Sequence, residues 1–148
     1  MKTKTRLGLS GIFAAGVICL SSCDYDANEV SAQADFDTLT RDGRLLNGKD
    51  IAIAACLRAN PHGMEIINCS STKIGIPLEP TDKLMRSTYP RFYEMALRSQ
   101  VESKPPPKVY LCGAFHLASQ GDGRWIVVDS MSGSGFPIEC RGKKGKDR

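Results

Sequence analysis

The first 23 residues limit what the rest of this chain can become. A basic segment ends at Arg6, an apolar run extends from 7 to 20, and Ser21 and Ser22 follow. This succession of basic, apolar and small residues is the pattern of a secretory signal peptide. The apolar run is shorter than the roughly 20 residues that a transmembrane helix needs. We therefore expect residues 1–22 to be removed and the remainder to fold outside the cytoplasm as a single domain.

The end of that segment, Leu20-Ser21-Ser22-Cys23, resembles the lipobox of bacterial lipoproteins. The resemblance implies that the sulfur of Cys23 receives a lipid, that a peptidase cleaves before it, and that the new amino terminus is acylated, for example with palmitate. The implied location is the cell envelope, lipid-anchored and facing the periplasm or the cell surface, and Asp24 favours the inner membrane. A plain cleaved signal peptide and an uncleaved anchor helix are the alternatives.

The distribution of charge argues against a nucleic-acid partner. The chain has a formal net charge of +4, but three of the positive charges precede Cys23. The last eight residues, 141–148, carry a net +4, which leaves about −3 on residues 23–140. A nucleic-acid-binding domain is expected to carry a basic surface instead. The basic tail suits contact with anionic headgroups, and a solvated tail is the alternative.

After the anchor segment the chain has four cysteines: Cys56, Cys69, Cys112 and Cys140. An even number in an exported chain predicts two disulfide bonds. Cys56 and Cys69 lie almost symmetrically about the turn at 60–63, where facing strand residues come close enough to bond. Cys56–Cys69 is therefore the first choice, leaving the other two cysteines to pair, although the remaining connectivities stay open. A zinc site is the competing interpretation, but ligand spacing does not support it, and no metal or cofactor is predicted.

Apolar periodicity predicts five strands, at 45–57, 64–69, 73–78, 108–117 and 125–128. Gly113 inside the fourth strand predicts a bulge or a tight bend. Between the third and fourth strands, residues 81–103 predict helix, with Thr81 as a cap and Pro90 opening a second helix. An apolar stripe on that second helix is expected to contain Phe92, Tyr93, Ala96, Leu97, Gln100 and Val101.

This element order, β-β-β-α-β-β, predicts a β-rich α+β domain. It is similar to that of the OB-fold, a five-stranded barrel with a helix between its third and fourth strands. A roll or an α+β sandwich with the same order is the alternative. We expect an acidic flexible tether at 23–43, a single globular domain at 44–140 and a basic tail at 141–148.

Two groups of residues are candidates for binding. Trp125 and Tyr110, with Phe115 and Tyr93, have the side chains to line a groove on one face of the domain, although core packing explains them equally well. His116 is a candidate base, but the sequence places no partner beside it, so a structural role is favoured. With no assignable catalytic pair, we predict that the chain is not an enzyme.

The stretch Ser132-Gly133-Ser134-Gly135 resembles a loop of periplasmic C-type lysozyme inhibitors, some of which are disulfide-bonded lipoproteins. The resemblance implies that Ser134 and a downstream lysine, Lys143 or Lys144, meet the carboxylates of the lysozyme cleft. A plain Gly/Ser loop is the alternative.

The sequence thus predicts a non-enzymatic envelope lipoprotein with a binding or assembly role and an envelope protein as its partner. Inhibition of a cell-wall hydrolase is the first alternative. Binding of a small ligand or an oligosaccharide by an OB-like domain is the second.

Overall fold

The computed structural model of the chain describes residues 32–137 and 140. Its elements in chain order are β1 (Ala32–Ala34), α1 (Phe36–Arg41), a 3-10 turn (Gly43–Leu46), β2 (Asp50–Asn60), β3 (Gly63–Asn68), β4 (Ser71–Pro80), α2 (Asp82–Met85), α3 (Tyr89–Val101), β5 (Lys108–Leu117) and β6 (Arg124–Ser132). This is a strand-rich α+β chain, as predicted, but its one sheet has six strands where five were predicted. The additional strand is β1, and the first predicted strand, 45–57, begins only at residue 50, after a 3-10 turn. Within the described residues no helix is long and apolar enough to cross a membrane.

The sheet order is β1-β2-β3-β4-β6-β5, and β2 also pairs with β5. The first half of β2 lies antiparallel to β5, and its second half lies antiparallel to β3. β4 and β6 run parallel, joined from Leu78↔Ile126 to Pro80↔Val128. Each of the strands β2 to β6 therefore has a partner strand on both sides over part of its length.

The predicted flexible tether at 23–43 is wrong for residues 32–43. β1 pairs in parallel with β2, and α1 buries Phe36 and Leu39 in the core. Asp35 caps α1, since its carboxylate accepts hydrogen bonds from the backbone N–H of Thr38 at 2.7 Å and from the Thr38 hydroxyl. These bonds lower the pKa of Asp35. The acidic composition of this segment predicted too few apolar residues for burial. Residues 23–31 lie outside the described part of the chain.

The larger of two apolar clusters in the described residues takes side chains from each strand from β2 to β6 and from the helices. Inward residues such as Ile53, Ile66 and Phe115 are fully buried, and Phe92 and Ala96 of α3 pack against them. The predicted stripe on α3 is displaced by about one residue, because Tyr89, Phe92, Ala96 and Ser99 are buried whereas Leu97 and Val101 are exposed. The division at Pro90 and the Thr81 cap are confirmed.

Both predicted disulfide bonds are present. Cys56 and Cys69 bond with their Cα atoms 5.1 Å apart, and Cys112 and Cys140 with theirs 5.6 Å apart. Cys56 and Cys69 do not face each other directly, although this was predicted for the pair. Cys56 faces Ile67 in the β2–β3 ladder, and Cys69 lies two residues beyond that position. The bond therefore closes the end of the hairpin diagonally instead of joining directly facing residues.

Gly113 lies at the predicted bulge, where the β5–β6 register shifts. A Cβ on Gly113 would overlap the Val127 carbonyl oxygen and lie 2.9 Å from its carbonyl carbon. Both are backbone atoms of a paired strand, so they have little freedom to move. We expect Gly113→Ala to lower the free energy of unfolding by about 3 kcal/mol, measured by urea denaturation.

Gly133→Ala is the matched control for Gly113→Ala, because a Cβ there would meet no atom of the described residues within 4 Å. This control is expected to change the free energy of unfolding by less than about 0.5 kcal/mol. Equal stability of the two variants would show that β6 can shift away from β5 at the bulge.

Candidate functional site

The predicted aromatic groove is not formed. Trp125 stacks on His116, its neighbour across β5 and β6, with ring centroids 5.3 Å apart. Tyr110 lies six residues before His116 on β5, which is about 20 Å along a strand. Its ring instead meets the edge of Phe136 at 5.1 Å. Phe115 points into the core, so it and Tyr93 on α3 do not join the other two aromatic residues.

The Ser-Gly-Ser-Gly loop follows β6 directly. Ser134 is exposed, and its backbone N–H donates a hydrogen bond to the Ser132 hydroxyl at 3.3 Å. Lys143, Lys144 and the lipidation residue Cys23 lie outside the described residues. Lysozyme inhibition through Ser134 stays a prediction.

A polar cleft that we call the turn cleft lies between the β5–β6 turn and the C-terminal end of α1. It has a volume of about 400 Å³, and residues 40–44, Asn47, 117–119, 121, 122 and Arg124 line it. Three of the lining residues are arginines, from three different segments: Arg41, Arg44 and Arg124. Their convergence depends on α1 docking against the sheet, which brings residues 80 positions apart in sequence to one surface.

Arg124 holds this cleft together. Its Nη1 donates to the carbonyl oxygens of Leu39, at 3.0 Å, and of Thr40. These carbonyls lie at the C-terminal end of α1, where unpaired carbonyl groups and the helix dipole favour a cation. The Nε atom donates to the carbonyl of Asp122 in the turn at 3.4 Å. One guanidinium thus joins α1, β6 and the β5–β6 turn.

A second cavity adjoins the first and shares Thr40, Asp122 and Arg124 with it. We call it the edge cleft. It also measures about 400 Å³, and Ile74, Gly75 and Pro77 of β4, together with Gly123, complete its lining. The two clefts form a continuous surface around the β5–β6 turn, polar on the α1 side and partly apolar on the β4 side.

The turn cleft has an excess of positive charge. Arg41 approaches Asp37 at 3.9 Å, but both side chains are largely exposed, so this pair neutralises little. Arg44 is exposed and forms no ion pair within residues 32–137. Asp42 and Asp122 supply the two acidic groups of the lining. Such an arrangement suits a ligand with an anionic group, since a guanidinium binds carboxylate and phosphate through paired hydrogen bonds.

An apolar groove of about 580 Å³ lies at the opposite end of the strands. The β2–β3 turn, the end of β4 and the two helices form it, with Leu78, Met85, Tyr89 and Tyr93 among the lining residues. Both tyrosine hydroxyls turn into the protein: Tyr89 accepts from the Met64 N–H at 3.1 Å, and Tyr93 donates to the Asn60 carbonyl at 3.4 Å. The tyrosine rings therefore line the groove with carbon atoms. Their hydroxyls hold the β2–β3 turn in place.

Burial raises the pKa of the Tyr89 hydroxyl. We expect Tyr89→Phe to destabilise the domain by about 1–3 kcal/mol at neutral pH, because the buried Met64 N–H loses its acceptor. In the wild type the unfolded chain loses the tyrosine proton near pH 10, before the folded chain does. Stability should therefore fall as the pH rises above 10, and Tyr89→Phe should weaken that fall.

Tyr93→Phe is the control for this prediction, since its hydrogen bond is longer and Tyr93 is only partly buried. Chemical denaturation at pH 7 and pH 10.5 measures both effects. A loss from Tyr93→Phe equal to that from Tyr89→Phe would contradict the role assigned to the Tyr89 hydroxyl.

Sequence reasoning missed the clefts around Arg124. Arg41, Arg44 and Arg124 stand at no recognisable spacing, and α1 was assigned to a tether. Within the described residues no group of three histidine, cysteine or acidic side chains could hold a metal ion. No protein-family model matches this chain, and neither a curated protein nor a solved structure shows significant similarity to it.

Proposed function

We propose that this chain is a lipid-anchored envelope protein whose domain binds a partner and carries out no catalysis. The anchor rests on the basic and apolar segments before Cys23 and on the lipobox-like Leu20-Ser21-Ser22-Cys23. The two disulfide bonds support this proposal, because such bonds persist in oxidising compartments outside the cytoplasm.

The proposal includes an OB-like barrel. Starting from β2, the paired strands follow the order β2-β3-β4-β6-β5 and return to β2. In chain order, the helices α2 and α3 lie between β4 and β5, which are the third and fourth of these five strands. The helix of the OB-fold has the same position in the chain. In OB-folds the face of the second and third strands and the loop between the last two strands bind oligonucleotides and oligosaccharides. Here that loop is the β5–β6 turn.

The observation that carries the binding proposal is the pair of clefts around Arg124. They lie on the β5–β6 turn, and they bring three arginines and an exposed apolar residue to one surface. Arg44 has no competing ion pair in the described part of the chain, so it is available to a ligand. We propose that a partner in the envelope binds at this surface through an anionic group.

The anchor is tested by the intact mass of the protein extracted from native membranes without reducing agent. The expected chain begins at acylated Cys23, and two disulfide bonds lower its mass by four hydrogens. An unmodified chain with a different amino terminus would overturn the anchor.

Binding at the clefts is tested by a photo-crosslinking amino acid placed at Ser119, an exposed residue that lines the turn cleft, in living cells. The same amino acid at Arg86, an exposed residue at the end of α2, is the control. We expect a specific adduct from position 119 and none from position 86. Absence of an adduct at 119, or equal adducts at both positions, would contradict a partner at the clefts.

A further inference from the structure

β4 has an open edge. One side of this strand pairs with β3, whereas its other side pairs with β6 only from Leu78 to Pro80. Pro77 has no backbone N–H to donate, so the ladder has reason to stop there. In the register of the two strands, Trp125 and Arg124, the first residues of β6, come beside Pro77 and Ile76 without pairing to them, and the chain before Arg124 turns away toward β5. Among the described residues, the part of β4 from 71 to 75 therefore has no strand neighbour on the β6 side.

Ile74 marks the open edge with an uncovered apolar side chain. It precedes the fully buried Ile76 by two residues and so lies on the same face of the strand. Yet 56% of its surface is exposed. Between Gly75 and Ser71 the register with β3 shifts, which moves the chain around Ile74 out of the ladder. The result is an apolar residue on the wall of the edge cleft, beside an unpaired strand.

The opposite face of the strand keeps this edge in place. Arg58 and Glu65 form an ion pair of 2.6 Å across β2 and β3, and Arg58 also donates to the carbonyl of Thr72. A Cβ at Gly75 would overlap the Glu65 carboxylate and lie 3.1 Å from the Arg58 guanidinium. A side chain at this position would have to displace the ends of these two side chains, and the glycine leaves them directly over the strand. The ion pair and the bond from Arg58 to Thr72 thus hold the edge in place before a partner binds, which lowers the entropic cost of binding there.

We propose that an extended peptide segment of the partner binds along β4 as an added strand, with an apolar side chain on Ile74 and an acidic one toward Lys73 and Arg124. Strand addition takes its affinity from main-chain hydrogen bonds and its specificity from alternate side chains. The charge of the surface favours an acidic segment. Lys73 is exposed beside Ile74, and the three arginines of the two clefts outnumber their two acidic residues, Asp42 and Asp122.

A second copy of this chain suits the edge less well. Pairing of two identical edges around a two-fold axis would bring the two Lys73 side chains near each other, and an edge lysine is a common device against such pairing. This inference names the partner chemistry for the binding surface, and it therefore rests on the proposed binding function.

The test is selection of a random dodecapeptide phage library on the folded, oxidised domain. We expect enriched peptides in which apolar and acidic residues alternate. Each peptide, made synthetically, should lose at least about tenfold in affinity for Ile74→Asp, and methylation of alternate backbone amides should weaken it by a similar factor. Leu97→Asp, the same change at an exposed residue of α3, should alter affinity less than about twofold.

Three results would overturn the inference: no enrichment, selected peptides that bind Ile74→Asp as well as wild type, or peptides insensitive to amide methylation. The crosslinking experiment separates this failure from failure of the binding function. A retained adduct at position 119 without edge-dependent peptides would leave a partner at the turn cleft and remove strand addition. Edge-dependent peptides from a chain without an acylated Cys23 would keep strand addition and remove the anchor.

Discussion

Replacement of Cys23 by serine is expected to abolish acylation, because a serine hydroxyl is not alkylated by the lipid donor in place of a thiol. The cleavage that depends on lipidation is then lost as well, so the variant should keep residues 1–22 and their apolar run. In the wild type, each buried CH₂ of an acyl chain contributes about 0.8 kcal/mol to membrane affinity, which replaces the anchoring by that run once it is removed. The intact mass of the membrane-extracted protein measures the effect: the variant should lack the acyl chains and carry residues 1–22.

Cys19→Ser is the matched control for Cys23→Ser, because it makes the same change in the same segment at a position the lipobox pattern does not use. It should leave both the location and the mass of the mature protein unchanged. If Cys23→Ser were cut to the same mature length as the wild type, cleavage would not depend on a lipid on Cys23, and the acyl anchor would be contradicted. Retention of residues 1–22 in both variants would point to a general failure of export.

Removal of both disulfide bonds is expected to unfold most of the domain at 37 °C. In the chain-entropy account, a bond across 13 residues contributes about 3 kcal/mol, and one across 28 residues about 3.5 kcal/mol. Their sum is comparable to the whole stability of a typical domain, about 5–15 kcal/mol. The measurement is thermal unfolding by circular dichroism of oxidised wild type and of the variant with all four cysteines changed to serine.

Variants that lack one bond, with both of its cysteines changed to serine, separate the two contributions. Each is expected to lower the Tm by about 10–20 °C. Cys56–Cys69 closes the β2–β3 hairpin, so its removal should chiefly increase amide exchange near that hairpin. Cys112–Cys140 joins β5 to the chain after β6, where Phe136 packs against the cluster that contains the bond. An unchanged Tm in either variant would contradict a stabilising role for that bond.

Predictions that depend on contacts between residues close in sequence are accurate, whereas those that depend on contacts between distant residues are not. The five strands, the turn before Gly63, the Thr81 cap and the helix beginning near Pro90 each depend on neighbours a few residues apart. The cysteine pairing succeeded because the hairpin is itself local. By contrast, the predicted stripe on α3 is displaced. Leu97 and Val101 are apolar, as a buried stripe requires, but they lie on the exposed side of the helix.

The segment at 32–43 shows why the rest was missed. Its acidic composition is typical of a tether, yet two apolar residues, Phe36 and Leu39, are enough to dock α1 when a core is present to receive them. Gly43 packs so closely on Phe115 that a Cβ there would come within 2.5 Å of the ring. Neither contact leaves a periodic signal in the sequence, because each joins positions that lie far apart in the chain.

The sequence by itself determined the order of the elements from β2 to β6, made Cys56–Cys69 the first choice of pairing and contains the lipobox-like segment. These depend on local periodicity, turn chemistry and contiguous motifs. Only the tertiary structure decided that Arg41, Arg44 and Arg124 line one cleft, that Trp125 and Tyr110 lie apart, and that the β4 edge is open beside Ile74. These features depend on where the strands stop pairing and where α1 docks. Long-range packing sets both, and no short stretch of sequence records them.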